Sequence, residues 1–336
     1  MSTGIAGFQT GVMFAKQATS GTLATTGFML LPAEDSDSLT HGQTYLDRKP
    51  TYGNRTQASY MYTRDATMPG GDLPAWALGM DGTSLALLHM CRMFFQNYSI
   101  TSGTASVGSH AWAFTPRSAN PALLSSYDLY TVAKVTGLTG NANEWYRDCV
   151  GVAMAGAWSA GEALTLKTTI QSMDFSLAGT PSGWGGTATN LKVIGAPSLC
   201  VTASTNGTDY TTYPSSVGFN LMFETEDIAG ACTNRARITT GQFGGDASLT
   251  VPRNSDLFNI VETNGDIAGT IALAFRPSGT YSTGASGTYT SNLLIYGKFD
   301  RNDSPAGPSG DITADLQFHV CDAAWTVYSD LGSAAI

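Results

Sequence analysis

The stretch LTLKTTIQSMDF, Leu164–Phe175, alternates apolar and polar residues. Leu164, Leu166, Thr168 and Ile170 fall on one side, and Thr165, Lys167, Thr169 and Gln171 fall on the other. A period of two marks a strand with one buried and one wet face. After Gln171 the phase slips, and Met173 and Phe175 carry the apolar series. The slip predicts a bulge at Ser172 that bends the strand and lets it serve two sheets.

Comparable patterns recur along the chain. In the first half they predict strands at Thr22–Pro32, Ala58–Thr63, His110–Thr115, Tyr127–Val135 and Asp148–Trp158. The residues up to Ser20 read as small and flexible, and Ala33–Gln57 reads as a long, polar, turn-rich loop of the kind that is usually functional or disordered. In the second half, strands are predicted at Asn190–Ala196, Val217–Glu224, Arg235–Phe243, Ile267–Phe275, Asn292–Phe299 and Asp311–Val320. In the last of these Ile312, Ala314, Leu316, Phe318 and Val320 alternate with Thr313, Asp315, Gln317 and His319.

Two stretches change period. After Asp81-Gly82, the residues Leu87, Leu88, Cys91, Phe94 and Phe95 share one face of a helix, with Asp81, Thr83 or Ser84 as cap. In NSDLFNIVE, Asn254–Glu262, a shorter helix carries Leu257, Ile260 and Val261 on one face behind Asn254 or Ser255. The turn TNGD, Thr263–Asp266, comes next.

The order of elements repeats. A GGD triplet stands at Gly70–Asp72 and again at Gly244–Asp246, close to half the chain length apart; each comes after a predicted strand and precedes a predicted helix and several more strands. The triplet alone is a weak signal in a chain with 38 glycines, so the shared order carries the argument for an internal duplication. The boundary falls in the Gly/Ser/Thr-rich stretch Ser176–Asn190, which divides the 336 residues into units 1–178 and 179–336.

Composition narrows the function classes. Charged residues make up 13%, about half the usual share, while 42% of residues are hydrophobic, so disorder is not the reading. The net charge of −9 argues against a nucleic-acid reader with a basic stripe, and is compatible with a surface that DNA slides past. The five cysteines, Cys91, Cys149, Cys200, Cys232 and Cys321, lack C-x-x-C spacing and read as reduced, half-buried residues of a protein folded in a cytoplasm. No basic-then-apolar leader opens the chain, and no apolar run approaches the length of a membrane span.

Reactive clusters are not evident. His41, His89, His110 and His319 are far apart in sequence, and G-x-S-x-G, G-x-x-x-x-G-K-[ST] and H-E-x-x-H do not occur. The acidic runs EDSD, Glu34–Asp37, and DRND, Asp300–Asp303, lack the calcium-loop pattern and read as solvated loops. Neither an enzyme nor a cofactor or metal is expected. A β-rich chain poor in charge reads instead as part of an obligate assembly, its edges and faces covered by neighbours.

Four segments taken in order, TSGTLATTGFMLLPAEDSDSLTHGQTYLDRKPTYGNR, DLPAWALGMDGTSLALLHMCRMFF, HAWAFTP and YRDCVGVAMAGAWSAGEALTLKTTIQSMDF, resemble the tail tube protein family of long-tailed, non-contractile bacteriophages. RARITTGQFGGDASLTV, Arg235–Val251, before the second helix resembles the same family again. The resemblance implies a mainly β tail-tube fold, two packed antiparallel sheets with a flanking helix, here in two tandem copies. It implies a structural virion protein, made in the host cytoplasm, whose stacked rings form the conduit for DNA. Two tandem copies would make a trimeric ring with pseudo-sixfold symmetry; a single copy with an added β-domain would make a hexamer.

The implied partners are further copies of the chain, a tape measure protein, a tail terminator and a distal tail protein, with DNA passing unbound and no membrane. The resemblance also assigns contact with the adjacent ring to the N-terminal arm Thr3–Lys16 and the loop Ala33–Gln57, in which Arg48, Lys49 and Arg55 would meet acids such as Asp35 and Asp37. A capsid decoration protein or a baseplate component is the alternative with the same composition.

Overall fold

The computed structural model describes residues 11–30, 70–72, 76–77, 84–102, 110–117, 127–135, 143–162, 164–172, 174–184, 198–205, 207–230, 233–275, 291–300 and 312–329. The first half contains β1 (Gly11–Lys16), β2 (Met29–Leu30), β3 (Gly70–Asp72), β4 (Trp76–Ala77), α1 (Ser84–Phe95), β5 (Gln96–Ser102), β6 (His110–Pro116), β7 (Tyr130–Val135), β8 (Asn143–Ser159), β9 (Thr165–Gln171) and β10 (Asp174–Ala178). The second contains β11 (Ser198–Thr205), β12 (Thr208–Thr212), β13 (Ser216–Gly230), β14 (Thr233–Pro252), α2 (Asp256–Asn264), β15 (Ile267–Phe275), β16 (Ser291–Phe299) and β17 (Thr313–Ser329). The described residues are thus mainly β with two helices, and their strands join in one large antiparallel sheet.

Pairing in the first half runs β2–β1–β7–β8, then β9 and β10 along the far side of β8, then β3 and β4 on β9. In the second half it runs β12–β11–β15–β16–β17–β14–β13. The halves join twice. Met222–Ser216 of β13 lies along Ala153–Ser159 of β8, and the end of β17 pairs with β6, which pairs with β5.

β8 is where the sheet changes direction. Its first part lies between β7 and β10, and its second part lies between β13 and β9. The chain does break at Ser172, but β9 and β10 keep to one side of β8, and the extra residues sit on β8 rather than at Ser172. Arg147 and Asp148 together oppose Thr131, and Val152 is extra between the pairs Gly151–Ile170 and Ala153–Thr169. Two bulges within a few residues bend the strand and raise its twist. Asp148 has φ 53, a conformation that costs a non-glycine residue free energy unless its surroundings hold it. Gln17 supplies the hold: Asp148 N–H donates to Gln17 Oε1 at 2.7 Å, and Gln17 Nε2 donates to Asp148 Oδ1 at 3.0 Å. Gly21 N–H adds a third bond to the carboxylate at 2.9 Å.

α1 packs against β8 and β17 and under the β5–β6 hairpin. The predicted apolar face, Leu87, Leu88, Cys91, Phe94 and Phe95, is buried, and so are His89, Met90, Arg92 and Met93 between them. The helix is therefore covered all round rather than on one stripe. Gly151 of β8 allows the close approach, because a Cβ there would stand 3.0 Å from Phe94 Cα. The Phe94 ring meets Phe95 at 5.0 Å, Phe223 at 5.3 Å and Phe243 at 6.3 Å between centroids. A first-half helix thus packs on second-half strands, and one hydrophobic cluster spans both halves.

α2 is simpler. Ser255 caps it by accepting from Phe258 N–H at 3.2 Å. It buries Leu257, Phe258 and Val261. The predicted Ile260 is only partly buried and packs at the margin of the core, while Phe258, outside the predicted stripe, takes the inner place. Gly265 ends the helix at φ 56, and its N–H donates to Val261 O.

Other expectations need correction. Gly11–Lys16, expected to be flexible, is a strand with Val12, Met13, Phe14 and Ala15 buried. Among the described residues, the predicted strand Thr22–Pro32 is represented by Met29–Leu30, and the residues before it turn, with Gly21 brought to Asp148. Ile312 is 83% exposed, since β17 begins after it. That strand continues nine residues past Val320 to Ser329, under cover of β6. The predicted strands Ala58–Thr63 and Asn190–Ala196 lie outside the described residues.

Candidate functional site

The sheet's solvent side is built by alternation. On β14 and β17 the inward series is Ala247, Leu249, Val251 and Ala314, Leu316, Phe318, Val320. The outward positions between them are set by the period of two. Register then aligns outward residues across strands. Lys167 stands opposite Ala155, Ala155 opposite Asn220, Asn220 opposite Asp246, Asp246 opposite His319, His319 opposite Lys298, and Lys298 opposite Ala268. Flanking rows hold Thr165, Thr169, Ala153, Ala157, Gly218, Ser248, Gln317 and Thr270. The flanking rows are mostly small and uncharged, with Met222 exposed opposite Ala153, while the central row also carries Lys167, Asp246, His319 and Lys298. Glycine shapes its underside as well: a Cβ on Gly156 would run into the Phe219 ring, and one on Gly269 into the Phe299 ring.

One charge cluster interrupts this face. His319 Nδ1 is 2.9 Å from Asp246 Oδ1, and its Nε2 is 3.0 Å from Asp300 Oδ2. Asp246 is the acid of the second GGD triplet and His319 a polar position of an alternating strand. Neither residue carries a local signal that register would set them side by side.

Buried polar groups lie elsewhere, around α1. The Arg92 guanidinium is almost fully buried and bonds Asp128 Oδ2 at 3.0 Å and Tyr98 Oη at 2.8 Å. Lys16 Nζ reaches the other Asp128 oxygen at 3.1 Å, and Arg92 also lies 4.7 Å from the Tyr98 ring centroid. His89 Nδ1 stands 2.9 Å from Tyr130 Oη. Burial pulls the His89 imidazole from its ordinary 6.5 down to about 3, with help from the Arg92 and Lys16 charges, so the ring is neutral at neutral pH. Burial pushes the Tyr130 hydroxyl and the Cys91 and Cys149 thiols well up, which removes the thiolate a reactive cysteine needs. Each of these groups therefore has a packing role that accounts for its position.

Asp35, Asp37, Arg48, Lys49 and Arg55 lie outside the described residues, as do His41, Cys232 and the run EDSD. The structure thus neither gathers nor separates the residues assigned to ring-to-ring contact. Of the arm Thr3–Lys16, the last six residues form β1, which is paired with β2 and β7. Among the described residues, no group of three or more His, Cys, Asp or Glu side chains is placed to hold a metal ion. No described helix is long and apolar enough to cross a membrane.

Free strand edges are the other notable surface. β8 accompanies β13 only as far as Met222, and β17 accompanies β14 only from Gly245 onward. Among the described residues, the rest of the β13–β14 hairpin is a two-stranded ribbon with no further neighbour. Unpaired edges are templates for pairing with another chain. No protein-family model matches the chain, and no curated protein matches it.

Proposed function

We propose that the chain is a ring-forming subunit of the tail tube of a long-tailed, non-contractile bacteriophage, built from two tandem tail-tube units. One observation carries the reading: the two halves share one pairing order. β2–β1–β7–β8–β9–β3 in the first half parallels β12–β11–β15–β16–β17–β14 in the second. The GGD triplets fall at matching places in that order. Gly71 and Asp72 pair with Ile170 and Thr169 of β9, while Gly245 and Asp246 pair with Val320 and His319 of β17. In each half the helix comes after the strand that carries the triplet or its short continuation.

The β8–β13 joint links one unit to the next inside the chain through ordinary strand pairing. A ring extends the same logic between chains, because head-to-tail contacts close when the rotation allows it. Two units per chain favour three chains per ring over six. The face poor in Lys and Arg suits a wall past which DNA moves, since affinity for duplex DNA grows with each phosphate neutralised.

Negative-stain electron microscopy of the purified protein, with class averages viewed down the axis, tests the reading. Hollow rings or stacked tubes with threefold modulation are expected. Sixfold modulation would overturn the tandem-unit part, and compact trimers without a lumen would favour a decoration protein.

A further inference from the structure

We propose that Asn264–Gly265, at the end of α2, is a modification site: a deamidation pair that the closed helix holds unreactive and that converts when the last turn of α2 opens. The site does not depend on the ring-subunit reading. Its chemistry needs only water. The Gly265 nitrogen gives up its proton and attacks the side-chain carbonyl carbon of Asn264. The new C–N bond forms as the bond to Nδ2 breaks, and Nδ2 takes up the proton and leaves as ammonia. The cyclic imide then adds water at either carbonyl, giving aspartate or isoaspartate. Glycine in second place favours the attack, because no Cβ obstructs its nitrogen.

The geometry of the helix end carries the inference. Asn264 is exposed, so water reaches its amide. Its side chain is turned back along the helix, with Nδ2 donating to Ile260 O at 3.3 Å, whereas attack requires the carbonyl carbon to face forward, toward Gly265. Gly265 is buried, and its N–H donates to Val261 O at 2.9 Å, so the proton that the nitrogen must lose is engaged. The fold thus holds both reacting atoms where the reaction cannot use them.

Release requires the last turn to open, and the buried Val261 side chain pins that turn to the core. α2 has nine residues and ends in the exposed Glu262, Thr263 and Asn264. A short element with few buried contacts in its last turn opens locally, ahead of global unfolding. Conversion then weakens closure. Aspartate places a new negative charge between Glu262 and Asp266, at the negative end of the helix. Isoaspartate inserts a methylene into the main chain ahead of Gly265 and moves its N–H away from Val261 O.

The test incubates the full chain at neutral pH, in buffer and in urea. Peptide mapping by mass spectrometry follows Asn264 apart from Asn206–Gly207, the other Asn-Gly pair of the sequence. In urea, Asn264 should convert to a mixture of aspartate and isoaspartate. In the native chain conversion should be at least about tenfold slower. Val261→Ala keeps the Asn-Gly pair and the carbonyl acceptor while loosening the turn. It should convert about tenfold faster than wild type in buffer, and at the wild-type rate in urea. Circular dichroism checks that this variant is folded; if it is not, the wild-type comparison of buffer with urea decides alone. Equal wild-type rates in buffer and urea would overturn the gate, and absence of conversion in urea would overturn the site. A folded Val261→Ala chain that converts in buffer no faster than wild type would overturn the last turn as the gating element.

Discussion

α1 and α2 come after matching strands in the two halves, yet they are different kinds of helix. α1 is buried from Leu87 to Phe95 and touches strands of both halves. α2 buries Leu257, Phe258 and Val261, exposes its other side, and packs chiefly near β12. The difference arises from the next element along the chain. After α1 the chain inserts the β5–β6 hairpin before β7, and β6 pairs with β17, closing over the helix. After α2 the chain passes through Gly265 and Asp266 directly into β15. A single inserted hairpin thus separates a helix that locks two halves together from one that covers a margin. It also explains why α1 holds a buried cation and a buried histidine, each with a polar partner, while α2 relies on a cap.

The largest effect that tests this comparison is expected for Phe94→Ala. It should cost about 4 kcal/mol and lower the urea midpoint of a single transition, because the lost ring borders Phe223 and Phe243 across the halves. Two separate transitions in the wild type, monitored by tryptophan fluorescence and circular dichroism, would break the idea of a shared core. Arg92→Met should cost about 3 kcal/mol, since it leaves Asp128 in a half-buried place with Lys16 as its remaining cation. Arg253→Met beside α2 should cost about 0.5 kcal/mol, the loss of a partly exposed cation over the Phe258 ring. Equal costs for the two would remove the distinction.

Acid gives the next effect. His89 titrates near 6.5 when unfolded and about 3 when folded. Between those values the unfolded chain binds the extra proton, so stability declines as pH falls through that window. At pH 5 the loss is about 2 kcal/mol. His89→Asn, which keeps a polar atom near Tyr130 Oη, should flatten that part of the curve in urea unfolding at pH 7 and pH 5. A smaller effect than that of acid belongs to the cap of α2: Ser255→Ala removes the bond to Phe258 N–H and should cost about 1 kcal/mol.

Much of the element plan is legible in the chain. The alternation of Ala314, Leu316, Phe318 and Val320 marks a half-buried strand, and all four are buried. The pattern over Ile267–Phe275 predicts the observed bounds of β15, because Asp266 and Gly265 punctuate one end. Gly11–Lys16 escapes the same reading because GVMFAK is too short and too uniformly buried to alternate. Ile260 and Phe258 exchange roles because a nine-residue helix lying at a margin obeys the local shape of its neighbours more than an ideal stripe. The surface cluster of His319, Asp246 and Asp300 is hidden for another reason: its members are distant in sequence and meet only through strand register.

By itself, then, the sequence determined much of where the chain extends and where it coils, β1 and the residues before β2 being exceptions. Period and punctuation are local properties, and each strand carries its own record of which side avoids water. It also shows a GGD triplet ahead of a helical pattern in each half. Only the tertiary structure decided which strands pair, that β8 bends at Asp148 rather than its neighbour at Ser172, and that α1 is enclosed. Those outcomes depend on contacts such as Gln17 with Asp148, Gly151 with Phe94 and β6 with β17. Each joins residues far apart along the chain, and no local pattern of apolar and polar positions encodes which distant partner a face will meet.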